Sequence, residues 1–176
     1  MLLRDLLYNV DVVKSDISLD TEITNLTFDS RQASVGSCFV ATRGVSVDSH
    51  KFIPQVLAAG TVAVVGEETP ATIIVRESRE ALGRMAGNWY GRPSERLKLV
   101  GVTGTNGKTS IATLLWQLFR KLGYKVGLLS TVVNYIDDQA IESTHTTPDP
   151  VELNSLLRDM ADAGCAYVFM EVSSHS

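Results

Sequence analysis

The chain has 176 residues, 44% of them hydrophobic and 20% charged, and it carries a formal net charge of −4 at pH 7. This length and composition fit a globular chain that buries the core of one or two domains. The negative charge and the lack of any Lys/Arg cluster argue against nucleic acid as the main partner, because binding to a phosphate backbone normally requires a basic face.

The N-terminal segment is apolar at helical spacing, which predicts an amphipathic helix over residues 2–8. Arg4 and Asp5 interrupt this apolar run, so it fits neither a signal peptide nor a membrane span. We therefore expect a cytoplasmic protein without a membrane partner. A disulfide is not expected in that compartment, and Cys38 and Cys165, which lack metal-ligand spacing, are interpreted as small buried residues.

Residues 1–95 are expected to form a first α/β domain. Four apolar segments predict strands, in chain order ITNLTFDS, CFVAT, TVAVV and ATIIV. A helix is predicted over about residues 50–59, before a capping Gly60. A second helix is predicted from Ser78, its N-cap, to Tyr90, and the domain boundary follows at Gly91, Pro93 and Ser94.

A buried strand, a glycine-containing turn and a helix follow one another in residues 97–119, LKLVGVTGTNGKTSIATLLWQLF. Glycines let backbone N–H groups converge on an anion, and the helix that begins near Lys108 adds its unpaired first-turn N–H groups. Lys108 is expected to reach the outer phosphates and Thr109 to ligate Mg²⁺. The pattern therefore predicts a nucleoside triphosphate site. Val102 stands where the strict phosphate-loop pattern has glycine, so the loop is a variant.

Residues 96–176 repeat a βα pattern, which predicts a parallel sheet covered by helices. The segment KVGLLSTVVNYI predicts a strand whose continuation folds back, and the stretch DDQAIESTHTTPDP is polar. A helix over about residues 150–163 and a last strand, AYVFMEV, follow. Ligands of such sheets bind at the C-terminal ends of strands, where three features are expected to meet: the phosphate loop, Ser130 with Thr131, and Glu171.

Glu171 follows an apolar run, at the point where a strand leaves the core. A charge at such a position requires a partner or a metal, so we interpret Glu171 as a second Mg²⁺ ligand beside Thr109. The alternative is a solvated glutamate at a strand end. The following residues 173–175, Ser-Ser-His, lack the G-x-S-x-G elbow of hydrolases, which favours substrate binding over covalent catalysis.

Two polar segments have both a structural and a functional interpretation. In HTTPDP, residues 145–150, Asp149 caps the next helix, or the paired threonine hydroxyls bind a carboxylate or phosphate of a second substrate. In Asp29-Ser30-Arg31, which follows a predicted strand, a turn held by an Asx hydrogen bond is favoured. The residues alone leave both interpretations open.

Five segments taken together, LTFDSR, GSCFVATRG, GVTGTNGKTS, HTTPDP and MEVSSH, resemble the Mur ligases of peptidoglycan synthesis, most closely their MurE type. The nucleotide loop, in the segment GVTGTNGKTS, is shared with folylpolyglutamate synthetases. The DSR segment is typical of the MurE and MurF types, and TTPD together with EVSSH indicates the MurE type. The resemblance implies an ATP- and Mg²⁺-dependent amide ligase. Such an enzyme adds meso-diaminopimelate or L-lysine to UDP-N-acetylmuramoyl-L-alanyl-D-glutamate through an acyl phosphate.

The resemblance also implies roles for individual residues. Catalysis falls on Lys108 and Glu171, and Mg²⁺ binding on Thr109 and Glu171. ATP contacts fall on Gly104, Thr105, Asn106, Gly107, Lys108, Thr109 and Ser110. Uridine-nucleotide contacts fall on Phe28 and Ser30 and, by spacing alone, on Val45, Ser46 and Val47. Muramoyl-dipeptide contacts fall on His145, Thr146, Thr147 and Ser173.

The implied architecture is a small N-terminal α/β domain that binds the uridine nucleotide, followed by the beginning of a parallel-sheet P-loop ATPase domain. In the family, the central domain continues with a substrate-binding arginine, a carbamylated lysine and a metal-binding histidine, and a C-terminal domain binds the incoming amino acid. We therefore expect a monomeric N-terminal fragment without ligase activity of its own. Two alternatives remain: a MurF-type or folylpolyglutamate synthetase-like enzyme with another acceptor, and a non-catalytic ATP-binding regulator.

Overall fold

A computed structural model of the chain describes residues 1–44, 47–141 and 148–172. The chain divides into two compact units, Met1–Trp89 and Tyr90–Ser176, and each unit contains one five-stranded sheet. Both sheets combine parallel and antiparallel pairs with flanking helices, so the expected α/β class is confirmed. Among the described residues, no helix is long and apolar enough to cross a membrane.

The sheet of the first unit has the spatial order β1-β5-β4-β3-β2, in which β2 to β5 run parallel and β1 pairs antiparallel with β5. Its strands are β1 (Val12–Ser15), β2 (Asn25–Thr27), β3 (Ser37–Val40), β4 (Ala63–Gly66) and β5 (Ile73–Val75). The α-helices are α1 (Leu3–Leu6), α2 (Ile53–Ala58) and α3 (Ser78–Trp89), and 3-10 turns cover Ser30–Gln32 and Ser49–Phe52.

The four strands predicted for the first unit are confirmed as β2 to β5, whereas three details of the prediction are wrong. Strand β1 was not expected, and the N-terminal helix covers only Leu3–Leu6. Ser78 is the first residue of α3 and not its N-cap, and its hydroxyl donates a hydrogen bond to the Glu67 carboxylate at 2.8 Å. The backbone N–H of Ser78 donates to the same Glu67 oxygen at 3.1 Å, so a side chain after β4 anchors the start of α3.

The sheet of the second unit has the spatial order β6-β10-β7-β8-β9. Strand β10 runs parallel to both of its neighbours, and β8 and β9 continue the sheet as antiparallel strands. The strands are β6 (Lys98–Val102), β7 (Val126–Leu129), β8 (Asn134–Ile136), β9 (Gln139–Ile141) and β10 (Tyr167–Glu171). The helices are α4 (Lys108–Lys121) and α5 (Pro150–Asp162), and a 3-10 turn covers Pro93–Glu95.

The predicted parallel strands and the chain reversal after β7 are confirmed in the second unit, but β9 lies in a stretch predicted only as polar. Adjacent residues of one strand point to opposite faces of a sheet. Accordingly, Leu128 and Phe169 pack under α4 with Trp116, whereas Leu129 and Val168 pack under α5. The two helices therefore cover opposite faces, which leaves the ends of the parallel strands accessible between them.

Candidate functional site

Three parallel strands of the second unit end side by side. Strand β10 pairs Glu171 with Val102 of β6 and Met170 with Leu129 of β7. The nucleotide loop, which is the predicted phosphate loop and covers residues 103–110, follows Val102 directly. The turn that contains Thr131 follows Leu129. The loop, the turn and Glu171 therefore meet at one edge of the sheet, which is where open α/β sheets bind ligands.

The nucleotide loop has glycine where the backbone requires it. Gly104 has φ +141° and Gly107 has φ +79°, a region that side-chain-bearing residues rarely adopt. A Cβ atom on Gly107 would meet no atom within 4 Å beyond its chain neighbours, so the loop borders open space. Helix α4 begins directly after Gly107, and its unpaired first-turn N–H groups belong to the same region. These features fit a bound chain of phosphates.

The variant residue of the loop has a structural explanation. Val102 is the last residue of β6 and is 9% exposed, packed in the apolar cluster under α4. The chain leaves the core only after Val102, and the turn is made by Gly104 instead. Lys108 donates from Nζ to the carbonyl oxygen of Gly104 at 2.7 Å, which holds the positive charge within the loop.

Glu171 is oriented by two hydrogen bonds and is not a freely solvated strand-end side chain. Its Oε2 accepts from the Thr109 hydroxyl at 2.9 Å, and its Oε1 accepts from the Thr131 N–H at 3.1 Å. A hydroxyl and a carboxylate are hard oxygen donors, as Mg²⁺ prefers. The described residues contain no group of three or more His, Cys, Asp or Glu that could hold a metal. The donor set thus fits a cation that takes its other ligands from phosphate and water.

In the first unit, the residues predicted to contact a uridine nucleotide also follow parallel strands. Phe28 and Ser30 come after β2, and Val47 lies in the loop after β3. Asp29 accepts a hydrogen bond from the Arg31 N–H at 2.9 Å, which is the Asx turn favoured from the sequence. Hydrogen bonds from the Arg31 side chain and backbone lower the pKa of Asp29.

A polar cluster around His50 supports the base of the loop after β3, and the sequence analysis did not identify it. His50 is 8% exposed, and its Nε2 accepts from the Glu67 N–H at 2.9 Å. Nδ1 therefore carries the proton and donates to Asp48 at 2.7 Å. Hydrogen bonds from the backbone and side chain of His50 lower the pKa of Asp48. Arg43 Nε lies 3.3 Å from the Glu67 carboxylate and 3.7 Å from that of Asp48.

Hydrogen bonds of the Ser49 side chain and of the backbone close the same loop at its base. Ser49 Oγ accepts from the Thr42 N–H at 2.7 Å and donates to the Thr42 carbonyl at 2.9 Å. The Gly44 N–H donates to the Val47 carbonyl at 2.9 Å. The D-x-H spacing of Asp48 and His50 is a sequence signal that could have found this cluster, because a carboxylate two residues before a histidine can bond both its N–H and its ring.

Several predicted site residues lie outside the described residues: Val45, Ser46, His145, Thr146, Thr147 and Ser173. Next to them, Asp149 caps helix α5, because its Oδ1 accepts from the N–H groups of Val151 and Glu152, each at 2.9 Å. The structural interpretation of Asp149 is therefore confirmed.

Two family models match the chain. The model described as Mur ligase family, catalytic domain, matches residues 22–90, and the model described as Mur ligase middle domain matches residues 102–176. Together they leave only residues 1–21 and 91–101 unmatched.

The chain is similar to curated proteins named UDP-N-acetylmuramoyl-L-alanyl-D-glutamate--2,6-diaminopimelate ligase. It is 54% identical to that of Cytophaga hutchinsonii, 53% identical to that of Parabacteroides distasonis and 37% identical to that of Clostridium perfringens. Each alignment covers 100% of this chain and 38% of the relative. The chain thus spans well under half the length of these relatives.

Solved structures share the fold. A structure titled as a UDP-N-acetylmuramoyl-L-alanyl-D-glutamate--2,6-diaminopimelate ligase matches with a TM-score of 0.76 at 24% identity, covering 99% of this chain and 36% of that one. MurF from Acinetobacter baumannii matches with a TM-score of 0.60 at 23% identity, covering 98% of this chain and 36% of that one.

Proposed function

Because the chain belongs to the Mur ligase family, we propose that its second unit binds ATP with Mg²⁺ and that its first unit binds the uridine nucleotide of a UDP-linked muramoyl dipeptide. In domain terms, residues 1–95 form the UDP-substrate domain and residues 96–176 form part of the ATP-binding domain. The observation that carries the proposal is the hydrogen bond between Thr109 and Glu171, which joins the nucleotide loop to the carboxylate at the end of β10.

The reaction served by these sites is amide formation on UDP-N-acetylmuramoyl-L-alanyl-D-glutamate, in the manner of MurE. Relatives that are 54% and 53% identical carry diaminopimelate in their names, which favours meso-diaminopimelate over L-lysine as the added amino acid. The D-glutamate carboxylate attacks the γ-phosphorus of ATP, ADP leaves, and an acyl phosphate forms. The amino group of the incoming amino acid then displaces phosphate and loses a proton as the amide bond forms.

The residues of this chain contribute electrostatics and positioning to that reaction. Lys108 and the first-turn N–H groups of α4 stabilise the negative charge that accumulates on the phosphoryl oxygens. Thr109 and Glu171 hold Mg²⁺, which supplies further charge neutralisation at the phosphates when it is bound. The loop residues from Gly104 to Ser110 bind the phosphate chain.

The residues proposed for the acceptor substrate are assigned separately in each unit. We assign the uridine nucleotide to Phe28, Ser30, Val45, Ser46 and Val47, and the muramoyl dipeptide to His145, Thr146, Thr147 and Ser173. Because the reaction consumes ATP, we place it in the cytoplasm. The relatives' names favour this acceptor over those of MurF-type and folylpolyglutamate synthetase-like enzymes.

Calorimetric titrations of the 176-residue chain test the two binding sites separately. We expect ATP to bind more tightly with Mg²⁺ than with EDTA, and Glu171→Gln to remove that difference. We expect the uridine nucleotide to bind in the absence of ATP, and Ser30→Ala to weaken it without changing ATP affinity. A chain that binds ATP but not the uridine-linked dipeptide would instead support a non-catalytic nucleotide-binding protein.

A further inference from the structure

We propose that Ser130 and Asn134 are positioning residues that hold Glu171 in its metal-binding orientation, acting through the backbone N–H of Thr131. The proposal rests on the proposed Mg²⁺-ATP site, and it extends that site to two buried residues of the turn after β7. All the residues involved lie in the second unit.

Ser130 closes the turn between β7 and β8. Its hydroxyl donates to the Val133 carbonyl at 2.6 Å and accepts from the N–H groups of Val132 at 3.3 Å and Val133 at 3.1 Å. Ser130 is 8% exposed, so water does not offer its hydroxyl an equivalent set of partners. One buried side chain therefore determines the path of the turn.

Asn134 fixes the start of the same turn from the other strand. Its Oδ1 accepts from the Ser130 N–H at 3.1 Å, and the residue is 4% exposed. Without this acceptor the Ser130 N–H would be buried and unpaired, which is unfavourable. The hydroxyl of Ser130 and the amide of Asn134 thus hold both sides of the turn in one arrangement.

The turn presents the N–H of Thr131 to Glu171, whereas the side chain of Thr131 is exposed. This N–H occupies Oε1 of Glu171 and leaves Oε2 on the side of Thr109, where Mg²⁺ binding is proposed. Both donors are uncharged, so neither brings a positive charge that would compete with a cation at Glu171. Outer partners of this kind orient metal ligands and typically change metal affinity by about 10- to 100-fold when they are removed.

The first test needs no ligand. Amide hydrogen exchange of residue 131 is measured in the wild-type chain and in Asn134→Ala, Ser130→Ala and Thr131→Ala. We expect exchange to accelerate by about tenfold or more in the first two variants, because the hydrogen bond to Glu171 opens more often. Thr131→Ala is the matched control: it keeps the N–H and removes only an exposed side chain, so protection is retained.

The second test separates positioning from a general loss of structure. The affinity for a fluorescent ATP analogue is measured with Mg²⁺ and with EDTA. We expect Asn134→Ala to reduce the gain in affinity due to Mg²⁺ by about tenfold and to change the affinity in EDTA by less than about twofold. A purely structural defect would weaken both. Should Asn134→Ala fail to fold, Ser130→Ala and Ser130→Thr make the same comparison, because threonine retains the hydroxyl.

Folded Asn134→Ala and Ser130→Ala chains that keep both the protection of residue 131 and the gain due to Mg²⁺ would overturn the proposal. If the wild-type chain binds no nucleotide in either condition, the proposed nucleotide site fails for this chain. In that case unchanged exchange at residue 131 in both variants still overturns the positioning role, and accelerated exchange supports it.

Discussion

Thr109 and Glu171 are 62 positions apart in the chain, yet the Thr109 hydroxyl donates a hydrogen bond to Glu171 Oε2 at 2.9 Å. The bond joins the first turn of α4 to the end of β10, and it exists because β10 lies between β6 and β7 in the sheet. Two oxygen donors from separate segments are thereby fixed at the mouth of the nucleotide loop. Both oxygens are ligands in the proposed Mg²⁺ site.

Replacement of Thr109 tests its hydroxyl directly. We expect Thr109→Val, which keeps the shape of the side chain and removes the hydroxyl, to weaken Mg²⁺-dependent ATP binding by about tenfold or more. Thr109→Ser keeps the oxygen and should retain most of the affinity. The measurement is a titration with a fluorescent ATP analogue at several Mg²⁺ concentrations. Equal affinities of the two variants would show that the hydroxyl has no part in binding.

Lys108 places its positive charge within the nucleotide loop, because its Nζ donates a hydrogen bond to the Gly104 carbonyl. We expect Lys108→Ala to reduce ATP affinity by about 2 kcal/mol, a factor of about 30, because a charged hydrogen bond to phosphate is lost. Lys121→Ala, at the other end of the same helix, is the control for a change in net charge and should leave affinity unchanged. Similar losses in both variants would indicate a non-specific charge effect.

The nucleotide loop could be located from the sequence because its residues are consecutive and its strand, turn and helix each have a local signature. The convergence of the loop with Glu171 could also be inferred, because parallel strands end at a common edge. The support given by Ser130 and Asn134 could not. It depends on how β7 pairs with β8 and on side-chain conformations, neither of which has a periodic pattern.

The two strands that the sequence analysis missed, β1 and β9, share a physical property. Each lies at the edge of its sheet, and neither contains a buried residue. A strand that buries no side chain shows neither an apolar run nor a regular alternation, so periodicity cannot indicate it. The His50 cluster was missed for a related reason, because a buried polar residue gives no hydrophobic signal.

His50 is expected to stabilise the first unit through its two ring hydrogen bonds. His50→Ala removes the acceptor of the Glu67 N–H and the donor to Asp48, and leaves the amide without its partner. We expect a loss of about 1 to 3 kcal/mol in the free energy of unfolding, measured by urea denaturation. Gln55→Ala, an exposed change on α2, should stay within about 0.5 kcal/mol. A loss no larger than that of the control would contradict the importance of the ring contacts.

The same cluster predicts a dependence of stability on acid. Burial raises the pKa of Glu67, but hydrogen bonds from the backbone and side chain of Ser78, together with the charge of Arg43, outweigh burial and lower it overall. The pKa of Asp48 is also lowered, as the His50 hydrogen bonds require. A carboxyl group whose pKa is lowered by folding stabilises the folded state at pH values above its ordinary pKa of about 4. This contribution is lost as the pH falls below that ordinary pKa and through the lowered one.

We therefore expect these carboxyl groups to contribute fully to the free energy of unfolding of the first unit at about pH 6, and we expect that contribution to be lost as the pH falls below about 4. In Glu67→Gln the decrease should be smaller, because one of the titrating groups is absent. The measurement is urea denaturation at a series of pH values, in which probes in the first unit report its unfolding. An equally steep decrease in the variant would assign the acid dependence to other carboxyl groups.

Two glycines outside the loop should respond to alanine in opposite directions. Gly83 lies inside α3, and a Cβ there would meet no atom within 4 Å beyond its local helix neighbours. Gly83→Ala should therefore stabilise the chain by about 0.5 to 1 kcal/mol, because alanine has the higher helix propensity. Gly127 lies in β7, where a Cβ would approach Met160 Sδ to 2.5 Å. Met160 is a fully buried residue of α5, and Gly127→Ala should cost about 1 to 3 kcal/mol through overpacking. Thermal unfolding of both variants checks the two signs, and a destabilised Gly83→Ala would show that α3 depends on close backbone packing at that position.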